Sequence, residues 1–146
     1  MKILIQRVLS AAVTVDGQVI DSIENGLLLL VGFGIDDDES QLPFMAEKVA
    51  NLRLFADQKG RFEYSVLQTR GAILAVPQFT LYADTAKGRR PAFTKAMPPA
   101  GAKLQFSRFV DALRAAGITN VGTGEFGASM GVQLINDGPV TVMLEN

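Results

Sequence analysis

The chain has 146 residues, with 14 Lys and Arg against 15 Asp and Glu, and neither cysteine nor histidine. That length suits a single domain over residues 1–146, able to bury roughly two-thirds of its unfolded surface. The missing residue types exclude disulfides, Ser-His and Cys-His nucleophilic pairs, and zinc sites built on Cys or His, while a net charge of −1 gives no global attraction to nucleic acid.

In chain order, "KILIQRV" and "AAVTV" have strand character, and Asp16-Gly17 reads as a hairpin turn into "QVIDSI". Arg7 interrupts the opening apolar stretch and alternation continues past it, which is not the layout of a cleavable signal. Asn25-Gly26 is a second turn signal, and "LLLLVGF" then reads as a strand covered on both faces. Residues 36–55 read as the first helix: Leu42, Met45, Val49 and Leu52 repeat at helical spacing, behind an acidic run that suits a helix N-terminus. That run lacks the spacing and the glycine of a Ca²⁺ loop. "AILAVPQFTLY" is a strand that becomes irregular at Pro77. Residues 98–117 read as the second helix, with Ala102, Phe106, Phe109, Val110 and Leu113 on one face and Gly117 as its stop. "VGTGEFGASM" precedes two further strand-like runs, "GVQLIND" and "PVTVMLE". Strands near both ends with two main helices between them predict an α+β fold with an antiparallel or mixed, barrel-like sheet. No apolar run approaches the ~18 residues of a membrane span, and a cytoplasmic protein is expected.

Without His or Cys, an enzyme's general base would be a carboxylate, lysine, tyrosine or N-terminal amine, or would belong to the substrate. Two segments carry information beyond folding: "VPQFTLYADT" and "NDGPVT". In the first, Pro77 removes a ladder donor. If the backbone is extended there, Gln78 and Thr80 share one face and Phe79 points the opposite way. An edge strand with a bulge accounts for this stretch as well as a site does. In the second, Gly138-Pro139 divides an apolar run. Only about 5–6% of X-Pro bonds in folded proteins are cis, so a trans Gly-Pro in a loop is the reading from physics alone. A rigid Gly-Pro would nonetheless expose main chain that can form a pocket wall. A third stretch, "KGRRPAFTK", gathers Lys87, Arg89, Arg90 and Lys95. Such a loop is ordinarily solvated surface, and it also has the composition of a small phosphate-contacting patch.

Taken together, "ILIQRV", "VTVDGQV", "PQFTLYADT", "GRRPAFTKA", "TGEFGASM" and "LINDGPVT" make the chain resemble, from end to end, the D-aminoacyl-tRNA deacylases of the main bacterial and eukaryotic branch. The resemblance implies a cytoplasmic homodimer, without metal or cofactor, that hydrolyses the ester of D-aminoacyl-tRNA in translation quality control. It implies that Gln78, Phe79 and Thr80 line the catalytic pocket and that Arg7 braces the Gly-Pro loop. Phe126 and Met130 would pack on the terminal adenine, in keeping with aromatic stacking on a single-stranded RNA end. Gly138-Pro139 would be cis and would end one strand to enter the partner's pocket, where its carbonyls exclude L side chains. Pro77 departs from the serine of many members. A related branch with Pro-Gln here has a differently set Gly-Pro and relaxed chirality, but Phe79, Asp137 and the rest of "NDGPVT" match the main branch.

Two routes cleave such an ester without His or Cys. Thr80 could be the nucleophile, although its motif offers no evident base. Alternatively the 2′-OH of the terminal adenosine helps activate water while backbone N–H groups near Phe79 and Thr80 hold the oxyanion. The second demands less of this chain, and a filter against L side chains would let glycine esters through. The rivals are a non-catalytic module that holds an RNA 3′ end through the basic loop and Phe126, and a structural dimer with an apolar ligand pocket.

Overall fold

β1 (Lys2–Val15) carries three neighbours in the computed structural model, which describes Met1–Asn146. Along one edge it pairs antiparallel with β8 (Gly131–Glu145) over nearly its whole length. Along the other, its first half pairs with β3 (Gly26–Gly32) and its second half with β2 (Gln18–Ile23). The β1–β2 turn is the expected one, with φ of 49° at Asp16 and 80° at Gly17, the left-handed pair a tight hairpin requires.

β3 pairs parallel with β6 (Ala72–Pro77), and β6 parallel with β7 (Val121–Thr123). The sheet then curls back on itself. The Asp21 carboxylate on β2 accepts the Thr123 N–H of β7 at 2.9 Å. Gly122 makes the approach possible, because a Cβ there would lie 2.8 Å from that carboxylate. The outcome is the predicted α+β fold, with a nearly closed mixed sheet and two main helices.

Period-2 alternation explains how both faces are filled. Leu27, Leu29 and Val31 of β3, with Ile73 and Ala75 of β6, face the larger core. Leu28, Ala72, Leu74 and Val76 face a second core inside the curl, beside Val8, Ala11, Val13 and Ile23. The larger core is closed by α1 (Leu42–Asn51), through Leu42, Met45 and Val49, and by α3 (Pro99–Ala115), through Phe106, Phe109 and Leu113. Phe109 and Leu113 are fully buried, each contributing about 1.5–3 kcal/mol by leaving water. Neither helix is long and apolar enough to cross a membrane.

Two expectations need correction. The first helix is shorter than residues 36–55: it ends at Asn51, Leu52 is extended, and the chain continues as β4 (Arg53–Ala56). Leu52 keeps the helical spacing, but pairing of β4 with β5 (Phe62–Ser65) overrides it, as tertiary context often does. After β5, a short helix α2 (Val66–Thr69) with a Ser65–Gln68 capping box leads into β6. The second correction concerns the C-terminal runs, which form one strand rather than two. Gly138-Pro139 does not end it.

Gly26 sets how closely β3 and β6 approach: a Cβ there would fall 1.9 Å from the Ala72 carbonyl oxygen. Overpacking costs about 1–3 kcal/mol, and each kcal/mol shifts Tm by about 2–4 °C at this size. Gly26→Ala is therefore expected to lower Tm by roughly 2–12 °C in a thermal melt, and an unchanged Tm contradicts the close approach.

Candidate active site

Two structures divide the residues singled out by sequence. The first is a protrusion from β8. Thr141 pairs with Gln6 and Asn136 with Val8, so Asp137, Gly138, Pro139 and Val140 all stand opposite the single residue Arg7. The Gly138-Pro139 bond is cis and both residues are exposed. Gly138 has φ of 140°, and a Cβ on it would lie 2.9 Å from the Val140 nitrogen, so only glycine fits without strain.

Arg7 holds this excursion from behind. Its Nε donates to the Asp137 carbonyl at 3.1 Å and lies 3.0 Å from the Asp137 carboxylate. Its Nη1 donates to the Leu54 carbonyl of β4 at 2.6 Å. The guanidinium is almost fully buried, yet each of these contacts satisfies it, as burial of a charge requires. Asn136 closes the neck. Its Oδ1 accepts the Val140 N–H at 2.7 Å and its Nδ2 donates to the Val140 carbonyl at 3.1 Å. A side-chain amide thus replaces a missing rung of the ladder. Sequence reading gave Asn136 no role of its own, although an Asn two residues before Gly-Pro is placed to bond the backbone of a turn.

The second structure is a cavity of about 590 Å³ at the end of β6, mostly apolar in its lining. Pro77, Gln78, Phe79, Phe126 and Met130 all line it, so five of the predicted site residues come together. Thr80, Arg7, Gly138 and Pro139 are not in its wall. Gly124 leaves space for Met130, since a Cβ there would meet the Met130 sulfur at 2.8 Å. Phe126 is half-buried against the Phe106 ring, with centroids 6.5 Å apart. Phe93, from the basic loop, also lines the cavity and meets Phe79 edge-on at 5.0 Å. Nothing in the sequence pointed to that contact beyond the place of Phe93 in the basic loop.

The segment becomes irregular at Pro77, as expected, and the extended backbone that would put Gln78 and Thr80 on one face does not form. β6 ends, Gln78 donates its N–H to the Val31 carbonyl at 2.7 Å, and residues Phe79–Tyr82 form a 3₁₀ turn. Gln78 and Thr80 still meet, through a hydrogen bond from Gln78 Nε2 to Thr80 Oγ1. The turn's first bond runs from the Leu81 N–H to the Gln78 carbonyl. The N–H groups of Phe79 and Thr80 therefore have no acceptor within the turn. Phe79 and Thr80 are both exposed residues. No carboxylate or amine hydrogen-bonds the Thr80 hydroxyl, whose partner is Gln78. The Met1 ammonium, another candidate base, is buried and paired with Asp37 at 2.7 Å.

An apolar cavity, with main-chain N–H groups left free in the turn at its lining residue Phe79 and the next residue Thr80, suits an enzyme that binds a small group and stabilises developing negative charge. The chain belongs to the D-Tyr-tRNA(Tyr) deacylase family, whose model matches residues 4–145 and whose members hydrolyse the aminoacyl-tRNA ester bond. It is 53% identical over 146 residues to a D-aminoacyl-tRNA deacylase of Roseiflexus castenholzii, covering all of this chain and 92% of that one. To the D-aminoacyl-tRNA deacylase of Carboxydothermus hydrogenoformans it is 50% identical, covering 99% of each. The solved c-Myc DNA unwinding element binding protein superposes with a TM-score of 0.94 at 40% identity, over 100% of this chain and 99% of that one. A probable eukaryotic D-amino acid tRNA deacylase shares the fold, with a TM-score of 0.86 at 17% identity over 98% and 97% of the two chains.

Removing the Asn136 amide should loosen the protrusion without unfolding the sheet. Leaving the Val140 groups unpaired costs about 1–3 kcal/mol. In Asn136→Ala, amide exchange at Val140 is expected to accelerate while exchange in β3 and β6 stays slow. Equal acceleration everywhere would contradict a local clamp.

Proposed function

We propose that the chain hydrolyses the ester of D-aminoacyl-tRNA, releasing free D-amino acid and tRNA, as a cytoplasmic homodimer that uses neither metal nor cofactor. The observation that carries this reading is the turn at Phe79 and Thr80, which leaves two main-chain N–H groups free in the turn where Phe79 lines an apolar cavity, and whose Thr80 hydroxyl is partnered by Gln78 rather than by a base. Family membership supplies the substrate class.

In this reading the aminoacyl group sits against Gln78 and Phe79, and the terminal adenine packs on Phe126 and Met130. The 2′-OH of the terminal adenosine helps activate a water, which adds to the ester carbonyl. The N–H groups of Phe79 and Thr80 receive the developing oxyanion. The bond to the ribose oxygen then breaks, and that oxygen leaves with a proton. Thr80 orients Gln78 rather than attacking.

Discrimination comes from a second copy. Gly138 and Pro139 do not line their own chain's cavity, and they project from β8 on a braced, side-chain-poor main chain. Entering the partner's cavity, their carbonyls would occupy the place of an L side chain. Leu9, Phe62, Tyr64, Ile135 and Met143 are large apolar side chains exposed on β1, β5 and β8, as a surface awaiting a second copy would be. Glycine, with no side chain, passes such a filter, so Gly-tRNA is an expected side substrate. Lys87, Arg89, Arg90 and Lys95 are exposed and form no ion pair within the chain. They lie beside Phe93 in sequence, near the cavity, where phosphates of the tRNA end can reach them.

The test is deacylation of D-Tyr-tRNA and L-Tyr-tRNA side by side, with and without chelator, by wild type and Thr80→Ala. Expected is chelator-independent cleavage of the D ester alone, with Thr80→Ala keeping turnover within about a hundredfold; loss of a true nucleophile costs on the order of 10⁴-fold or more. Tight binding of both esters without turnover would favour the RNA-holding module instead.

A further inference from the structure

The 3₁₀ turn that presents Phe79 and Thr80 ends at Tyr82, a residue to which neither the sequence reading nor the proposed mechanism gives a task. Its hydroxyl donates to Asp37 Oδ2 at 3.0 Å. The same oxygen accepts the Gly34 N–H at 2.6 Å, and Asp37 Oδ1 accepts the Met1 ammonium at 2.7 Å. Asp37 therefore joins the start of β1, the loop after β3 and the end of the turn through a single carboxylate.

The fit around the ring is equally specific. A Cβ at Gly34 would lie 2.7 Å from Tyr82 Cε1, and one at Gly32 would lie 2.8 Å from the Gln78 carbonyl oxygen. Two glycines on one strand end thus admit both ends of the turn, Gln78 and Tyr82. Lys2 Nζ lies over the ring, 5.2 Å from its centroid. Burial, then the hydrogen bond to Asp37 and the charges of Asp37 and Glu145, hold the phenol well above its ordinary pKa. It stays a donor throughout the physiological range.

We infer that Tyr82, anchored by Asp37, is a positioning residue that fixes the pitch of the 3₁₀ turn and so aims the Phe79 and Thr80 N–H groups at the reacting carbonyl. Without the anchor, only the Gln78 end of the turn stays fastened to β3, through its bond to Val31. The donors would keep their chemistry and lose their aim. The inference rests on the deacylase reading for the catalytic meaning of those N–H groups, and its structural part is measurable without it.

The experiment uses the whole chain and Tyr82→Phe, which removes one oxygen and keeps the ring against Gly34 and Lys2. Expected are altered amide chemical shifts and faster exchange at Phe79 and Thr80, with the core amides of β3 unchanged. On D-Tyr-tRNA, kcat should fall roughly ten- to hundredfold, the scale of a small misplacement, with KM within about twofold. Asp37→Asn, which keeps an acceptor for the hydroxyl, should fall between Tyr82→Phe and wild type, and it serves as the test variant should Tyr82→Phe fail to fold. Unchanged Phe79 and Thr80 amides in the folded variant would overturn the inference whatever the activity. So would kcat equal to wild type. If wild type itself cleaves no D-Tyr-tRNA while those amides still shift, the deacylase reading fails and the anchoring stands.

Discussion

Arg7 supports the β8 protrusion as a strand supports its neighbour, but with a side chain. Where four residues of β8 stand opposite one residue of β1, regular pairing is impossible, and the buried guanidinium supplies the missing contacts to Asp137 while reaching Leu54 beyond. A buried arginine left unpaired would carry a cost of several kcal/mol. The excursion of β8 and the burial of Arg7 therefore require each other. Asn136 and Gly138 complete the arrangement, one closing the neck with its amide and the other adopting a φ of 140° that a side chain would oppose.

The cavity is built by the opposite device, subtraction of side chains. Gly32, Gly34 and Gly124 make room for Gln78, Tyr82 and Met130 respectively. What remains is a mostly apolar recess lined in part by Gln78 and Phe79, where a 3₁₀ turn begins. Protrusion and cavity are thus both statements in main chain rather than in titratable side chains. A chain with no histidine and no cysteine has few other means.

Much of this was legible beforehand, and the reasons differ from element to element. The Asp16-Gly17 hairpin and the Gly117 stop after α3 are local backbone chemistry, and both appear where the residues put them. The double-sided burial of β3 follows from its unbroken leucines. Leu52 misleads because helical spacing continues past the point where β5 recruits the chain into β4. The turn after Pro77 could not be drawn from its own residues, since its shape depends on glycines more than forty positions earlier. The unity of β8 was hidden for the same reason: its register is held across Gly138-Pro139 by Arg7, at the far end of the chain. One cavity brings together Pro77, Gln78, Phe79, Phe126 and Met130, a grouping that the family resemblance implied, whereas spacing alone would have left Phe126 and Met130 in the core.

The central claim is that each cavity is completed by the other chain's Gly138 and Pro139. Mixed dimers test it most directly. Gly138→Ala disturbs the protrusion and leaves the cavity residues intact; Phe79→Ala disturbs the cavity and leaves the protrusion intact. Each homodimer should be impaired in selective cleavage of D-Tyr-tRNA. In a dimer of one subunit of each kind, the intact cavity faces the intact protrusion, so co-refolded mixtures should regain D-selective cleavage that neither parent has. A mixture that only averages the two parents would mean that each Gly-Pro serves its own chain, and the account would be wrong.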